Sequence, residues 1–334
     1  MTYYTLPKLF KYNNTNIIDL MNLTSLHKTM IHDDSFLEQM LNTFISKTNT
    51  SLYDEIKTMH SFTDLLNIKI PDEIYHPKTY FAFIEINKIS KIFEKQHIVS
   101  LHMSNTHDYL DALFQLRKGK DRYIYMSEKN DISNSTIPSY IGYEQLNSSN
   151  TSSINRVISK YNNTIDLICI NYDDIKDIIK NLLLAIVFQK ESGNLIIKIK
   201  RLNNYITKEI IYILMSLYDN VLIIKPKIVN SVNEYKYIVA EKKKTNNLNL
   251  NIIRKLIYQL SKLPNDTYPV RILQIELPQI LVNKIDECEL IMSENTLSTH
   301  MKILNSIHLN NVNLRGIDNK NEKESRIWLK ENII

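Results

Sequence analysis

Glycine is scarce in this chain. There are four in 334 residues, Gly119, Gly142, Gly193 and Gly316, several-fold fewer than ordinary usage. Glycine is the default wherever backbone takes positive φ or lies close against a ligand, so a glycine-rich cofactor loop is not expected. Two cysteines, Cys169 and Cys288, argue against a disulfide framework and a cysteine-rich zinc site. No apolar run reaches the ~18 residues that span a bilayer, and Met1–Lys11 lacks the apolar core of a signal peptide. A cytosolic protein with no membrane partner is expected. Sequons such as Asn22-Leu23-Thr24 then read as chance matches in an asparagine-rich chain. Neither charge sign dominates: 41 Lys+Arg against 36 Asp+Glu leave +5, which permits a nucleic-acid partner without requiring one.

What is present is a globular composition, 43% hydrophobic and 23% charged, in a chain long enough for one α/β domain with helical additions. Residues 33–67 read as two helices behind an Asp-rich N-cap, and 79–95 as a third. Strand-like and helix-like patterns then alternate. Strands are expected at His97–Met103, Arg122–Met126, Thr164–Ile170, Asn194–Ile199, Asn220–Ile224 and Tyr235–Ala240, with a short one at Ser139–Tyr143. Helices are expected at Asp108–Lys118, Ile154–Lys160, Asp174–Gln189 and Ile206–Tyr218. Such alternation argues for an open, mostly parallel sheet. Leu248–Leu263, Leu277–Ile285, Thr296–Ile307 and Glu322–Ile333 carry helical spacing. The expected organisation is a helical N-terminal extension over 1–78, a Rossmann-like domain over 79–245 and a helical C-terminal extension over 246–334.

The stretch from Gly193 to Ala240 carries a lysine within its first strand (LIIKIKR), a Lys-Pro-Lys after its second and a Tyr-x-Val in its third. In order and spacing it resembles the C-terminal half of the FtsJ-type (RrmJ-like) RNA ribose 2′-O-methyltransferases, especially those of large cytoplasmic DNA viruses. The resemblance implies a Rossmann-like methyltransferase sheet of about seven mostly parallel strands with the last antiparallel. It also implies an S-adenosylmethionine site after the first strand. The family's Pro-Gly-Gly-Phe turn there lets backbone approach the cofactor. The matching residues here are Ser104, Asn105, Thr106, His107 and Asp108, with Thr106-His107-Asp108 where the family has Pro-Gly-Gly. Cβ-bearing residues in left-handed backbone cost about 1–2 kcal/mol each, and Asp108 puts a carboxylate near the place of the cofactor's own. A vestigial loop that has lost its ligand is expected.

The family's catalytic set, Lys-Asp-Lys-Glu, is carried over position by position. The first Lys falls on Phe81 or Ala82 in YFAFIEI. Asn171 stands for the Asp in DLICINYD, and asparagine accepts no proton at neutral pH. Lys198 retains the second Lys. Tyr235 stands at the Glu, with Glu234 one residue away as a substitute. One position of four survives, and a missing acid–base group costs roughly 10²–10⁴ in rate. Lys200, Arg201, Lys225 and Lys227 fall near strand ends on the side where the family binds RNA, where they form a weak phosphate-binding set or are simply solvated. Tyr235-Lys236-Tyr237 interleaves aromatic and basic residues, though Tyr237 is expected to face the core. His97, His102 and His107 point apart, so no metal site is expected. Asp173, Asp174 and Asp177 read as helix-start residues, and Cys169 as a core residue.

The reading that follows is a catalytically degenerate methyltransferase-fold protein. It would act as a scaffold or stimulatory subunit in viral mRNA capping, RNA modification or transcription, without cofactor, in host cytoplasm or virion. The small subunit of poxvirus-type capping enzymes is a parallel by resemblance. Two alternatives stay open. One is an active S-adenosylmethionine-dependent RNA (cap) ribose 2′-O-methyltransferase rewired around Lys198 with Glu234 or Asp173. The other is an RNA-binding virion structural protein.

Overall fold

Parallel strands covered on both faces read as unbroken apolar runs, and Ile165–Asn171 (IDLICIN), buried at every position, is such a strand. The computed structural model describes residues 2–6, 16–27, 43, 46, 50–59, 65–66, 74, 76–127, 141–147, 150–228, 235–245, 248–309 and 314–333. The strands found there are β1 (Thr2–Thr5), β2 (Met21–His27), β3 (Val99–Ser104), β4 (Arg122–Ser127), β5 (Gly142–Gln145), β6 (Ile165–Asn171), β7 (Gln189–Ile199), β8 (Tyr218–Lys225), β9 (Lys236–Lys243) and β10 (Thr267–Leu273). The helices are α1 (Thr50–Met59), α2 (Pro77–Ser90), α3 (Asp108–Arg117), α4 (Thr151–Tyr161), α5 (Ile175–Phe188), α6 (Tyr205–Leu217), α7 (Leu250–Lys262), α8 (Gln279–His308) and α9 (Leu314–Asn332).

The main sheet runs β1-β8-β9-β7-β6-β3-β4-β5. From β5 to β7 neighbouring strands are parallel, whereas β9 is antiparallel to both β7 and β8. This is the seven-stranded pattern expected from the sequence, with β1 added antiparallel on the β8 edge. Its two faces bury separate cores. Leu101, Ile168, Ile197 and Ile238 face the layer of α4, α5 and α6. Cys169, Ile196, Tyr237 and Val239 face α2, α3 and Trp328 of α9. Helix α5 (IKDIIKNLLLAIVF) is buried almost all round, because α4 and α7 pack over its outer side. Asp174 caps it, accepting a hydrogen bond from the Lys176 amide at 2.8 Å.

Several expectations are corrected. The terminal extensions are not wholly helical: Thr2–Thr5 joins the main sheet, and Met21–His27 pairs antiparallel with Thr267–Leu273 in a two-stranded ribbon. Both segments are short and lack strict alternation, and only pairing partners distant in sequence make strands of them. Leu277–Ile285 and Thr296–Ile307 belong to one helix, α8, about 45 Å long at 1.5 Å per residue. The polar interval between them is no break, because it contains no proline or glycine. Ser139–Tyr143 is replaced by β5, and residues 139–140 lie outside those described. Of the two helices expected over 33–67, α1 is present, and much of the remainder is likewise outside.

Strand β7 also begins earlier than expected, at Gln189, so Gly193 is not a loop residue. Ser192 takes φ 60° just before it, and the β6–β7 register shifts between Ile165 and Leu167. A Cβ on Gly193 would lie 2.6 Å from Gln189 Cγ, 2.9 Å from the Lys190 carbonyl oxygen and 3.0 Å from that of Asp166. Two of these neighbours are backbone and cannot move aside cheaply. Gly193→Ala is therefore expected to lower unfolding free energy by about 1–3 kcal/mol in urea titration, and an unchanged midpoint would refute this close approach.

Candidate functional site

The carboxyl end of the sheet brings together Ser104 of the expected cofactor loop with Asn171, Lys198 and Tyr235 of the expected catalytic set. Ser104 ends β3, Asn171 ends β6, Lys198 lies one residue from the end of β7, and Tyr235 precedes β9. Ser104 pairs with Asn171, and Lys198 with Tyr237. Ala82 lies in α2, fully buried. Glu234 lies outside the described residues.

The turn after β3 is closed by its own side chains. Asn171 Nδ2 donates to both carboxylate oxygens of Asp108, at 3.1 and 3.2 Å. Thr79 Oγ1 donates to the same carboxylate at 3.3 Å, as does Thr106 Oγ1. Ser104 Oγ donates to the Thr106 carbonyl, and the Ser104 carbonyl accepts from Tyr125 OH at 2.8 Å. The His107 ring packs edge-on to Tyr125 at 4.5 Å, and its Nε2 is buried without a hydrogen-bond partner. Burial pushes the Tyr125 hydroxyl up to about 12. The backbone strain expected in this turn is absent: no residue from Ser104 to Asp108 has positive φ, and His107 sits at φ −87°, ψ −1°. The turn therefore accommodates its Cβ-bearing residues without left-handed backbone.

This arrangement does not fit S-adenosylmethionine. Glycine turns serve the cofactor by leaving backbone bare. Here hydroxyl, imidazole and carboxylate groups occupy the turn, and Asp108 supplies negative charge to the α3 N-terminus, where an anionic ligand group would otherwise be favoured. Lys198 survives in altered company. Its Nζ lies 4.1 Å from the centre of the Tyr235 ring, and Tyr235 OH donates to Asp173 Oδ1 at 3.2 Å. Asn171 is turned toward α3. The Lys198 cation thus rests on an aromatic face.

The terminal helices pack against the same end of the sheet. Lys225 is buried and donates to the Met292 carbonyl at 3.1 Å and Thr296 Oγ1 at 2.6 Å, both on α8. Lys236 is buried against Glu289 at 3.0 Å, and Glu289 also accepts from the Leu202 amide. Lys227 pairs with Glu324 of α9 at 2.7 Å. Of the four lysines and arginines expected to face phosphates, Lys225 and Lys227 are therefore committed to the protein's own helices. Lys200 is exposed and Arg201 half-buried. Tyr237 faces the core, as expected.

Comparison with protein-family models finds no match. An uncharacterized protein, R383, of Acanthamoeba polyphaga mimivirus is 24% identical over 319 residues, covering 90% of this chain and 74% of the viral one. Among solved structures, the fibrillarin pre-rRNA processing protein of Methanococcus jannaschii is similar at a TM-score of 0.36 and 13% identity, over 45% of this chain and 69% of that one. Human methyltransferase-like protein 13, in complex with SAH, is similar at 0.33 and 7%, over 56% and 90%. The strand order, with β9 antiparallel between β7 and β8, decides the architecture. The fold is the Rossmann-like methyltransferase fold, with added helices.

Two groups escaped sequence reasoning. Glu85, the lone carboxylate in YFAFIEI, is buried and accepts from the Lys227 amide at 2.8 Å, the Ile228 amide at 2.9 Å and Trp328 Nε1 at 2.7 Å. It ties α2 to the Lys-Pro-Lys loop and to α9. A single charge inside an apolar helix face was the available signal, since such a group must find donors. His102, central in β3, is fully buried, and burial pushes its pKa down to about 3.

Glu85→Gln leaves one of these donors facing another donor. It is expected to cost about 1–3 kcal/mol and to red-shift emission from Trp328, the only tryptophan in the chain; unaltered emission and stability would disprove the tie. His102 stays neutral when folded but takes a proton below about 6.5 when unfolded. Its contribution to stability is thus intact above pH 6.5 and falls by roughly 1.4 kcal/mol per unit as pH drops toward 3. Urea titrations at pH 7, 6, 5 and 4 are expected to show a shallower decline for His102→Leu than for the wild type, and parallel slopes would exclude the effect.

Proposed function

We propose that this protein is a catalytically silent methyltransferase-fold subunit, a scaffold or stimulatory partner for another chain in viral mRNA capping, RNA modification or transcription. The observation that carries the reading is the occupied turn: Asp108, bound by Asn171, Thr106 and Thr79, stands where a methyl donor needs open backbone. Lys198, which among the described residues meets the Tyr235 ring rather than a carboxylate, supports the same reading, because in-line methyl transfer to a ribose hydroxyl needs the nucleophile positioned and deprotonated. The similarity to a giant-virus protein supports a viral setting, in host cytoplasm or virion.

A protein partner is favoured over RNA at the carboxyl edge, since α8 and α9 claim Lys225 and Lys227. The exposed side chains of Leu290 and Met301 lie three turns apart on one side of α8 and offer apolar contact. Isothermal titration with S-adenosylmethionine is expected to give no saturable heat, and saturable binding would overturn the silent-site reading. Copurification with a larger chain bearing an intact methyltransferase site is the expected positive result. A chain that stays monomeric beside every capping component would count against the scaffold role.

A further inference from the structure

The opposite edge of the sheet, at the amino end of β3, holds a cleft of about 630 Å³ between the carboxyl ends of α2 and α3. Its floor includes Phe93 and Leu116, and Lys95, His97, Lys118 and Lys120 line it. The cleft is braced from within. Arg117 donates to the Phe93 carbonyl, to the Lys95 carbonyl at 2.8 Å and to Asp121 at 2.5 and 2.8 Å, which locks the 93–97 loop to α3. Asp166 takes Lys95 and Lys190 at 2.5 and 2.7 Å and accepts from the Val99 amide at 3.0 Å. The carboxylates of this edge are thereby used up, apart from exposed Glu94.

Lys118 and Lys120 have no side-chain partner among the described residues, and neither do Lys91 and Arg122, which lie close by in the chain. All four are exposed. Lys91, His97, Lys118 and Gly119 all take left-handed φ, at 53°, 50°, 55° and 66°. Of the seven such residues in the described chain, His97 and Lys118 line this cleft and Lys91 and Gly119 lie in the segments that flank it, and three of these four carry side chains where glycine would sit more easily. Compensation of helix dipoles accounts for cations in the last turn of a helix. It does not account for Lys120, which lies beyond Gly119 and outside both helices, or for His97 on the far rim.

We infer that this cleft binds a small ligand bearing clustered phosphates, of nucleoside-triphosphate size, through Lys118 and Lys120 with Lys95 and His97 at its margin. The volume lies within the range of small-molecule sites, and a cleft of that size, open on one side, suits a compact polyphosphate better than an extended strand. The ammonium groups are mobile over a rigid frame, so that little of the protein has to be ordered on binding. The site lies on the other edge of the sheet from the methyl-donor turn and does not depend on how that turn is read.

The test titrates the full-length chain with tripolyphosphate and with ATP at low and physiological salt. The expected result is one-to-one saturable binding of both. Lys118→Glu/Lys120→Glu is expected to weaken it at least tenfold. Lys302→Glu/Lys323→Glu, an equal charge change on exposed positions of α8 and α9, is expected to leave it intact. Unchanged thermal unfolding confirms that each variant is folded, and Lys118→Gln/Lys120→Gln replaces the first pair if it is not. Four results would overturn the inference: no saturable binding, equal loss in both variants, ATP binding without tripolyphosphate binding, or tight binding of a short single-stranded RNA with neither small probe bound.

Discussion

A carboxylate taken out of water must be met by donors or it destabilises everything around it, and in this protein that requirement fastens distant parts of the chain together. Glu85 is met by two backbone amides of the loop after β8 and by the indole of Trp328, so α2, the sheet's carboxyl edge and the C-terminal helix share one anion. Glu289 joins Lys236 and the Leu202 amide to α8. Glu209, buried in α6, accepts from the Ile272 and Leu273 amides and pairs with Arg271, which docks the β2–β10 ribbon. The terminal extensions are held to the Rossmann-like core by such polar anchors as well as by apolar contact.

The same logic explains why the candidate site is closed. Asp108 lies in the first turn of α3, where helix amides favour negative charge, and three side chains from α2, the turn and β6 complete its hydrogen bonding. A carboxylate satisfied in this way has no reason to yield its place. Helices α8 and α9 also hold Lys225, Lys236 and Lys227 at the carboxyl edge of the sheet, while Thr106, Asp173 and Lys200 on that edge stay exposed. The amino ends of the strands carry Lys118 and Lys120, which have no side-chain partner among the described residues, so the length of the strands separates them from the turn after β3.

Much of the fold was legible. The strands from β3 to β9 and the helices from α3 to α6 follow from apolar runs and helical spacing, because burial on both faces of a parallel sheet imposes continuous patterns. The extensions were less legible. β1, β2 and β10 are short strands whose pairing partners are remote in the sequence, and pairing of that kind leaves little local trace. In the site, Thr106, His107 and Asp108 were readable as departures from a glycine-bearing turn, and Asn171 as standing where an Asp is expected. Their mutual hydrogen bonding was not, since residues 63 apart meet only when β6 is laid beside β3.

By itself, the sequence determined the alternation of strand and helix, the burial of the central strands and the absence of the glycines that a cofactor turn uses. All of these depend on local composition and period. The tertiary structure alone decided which charges are spent and which remain. Lys225 and Lys118 look alike in the sequence, yet one meets a carbonyl and a hydroxyl on α8 while the other stands at the rim of a cleft without a partner. A lysine's fate depends on what packs within a few ångströms of its ammonium group, and only the completed fold supplies those neighbours.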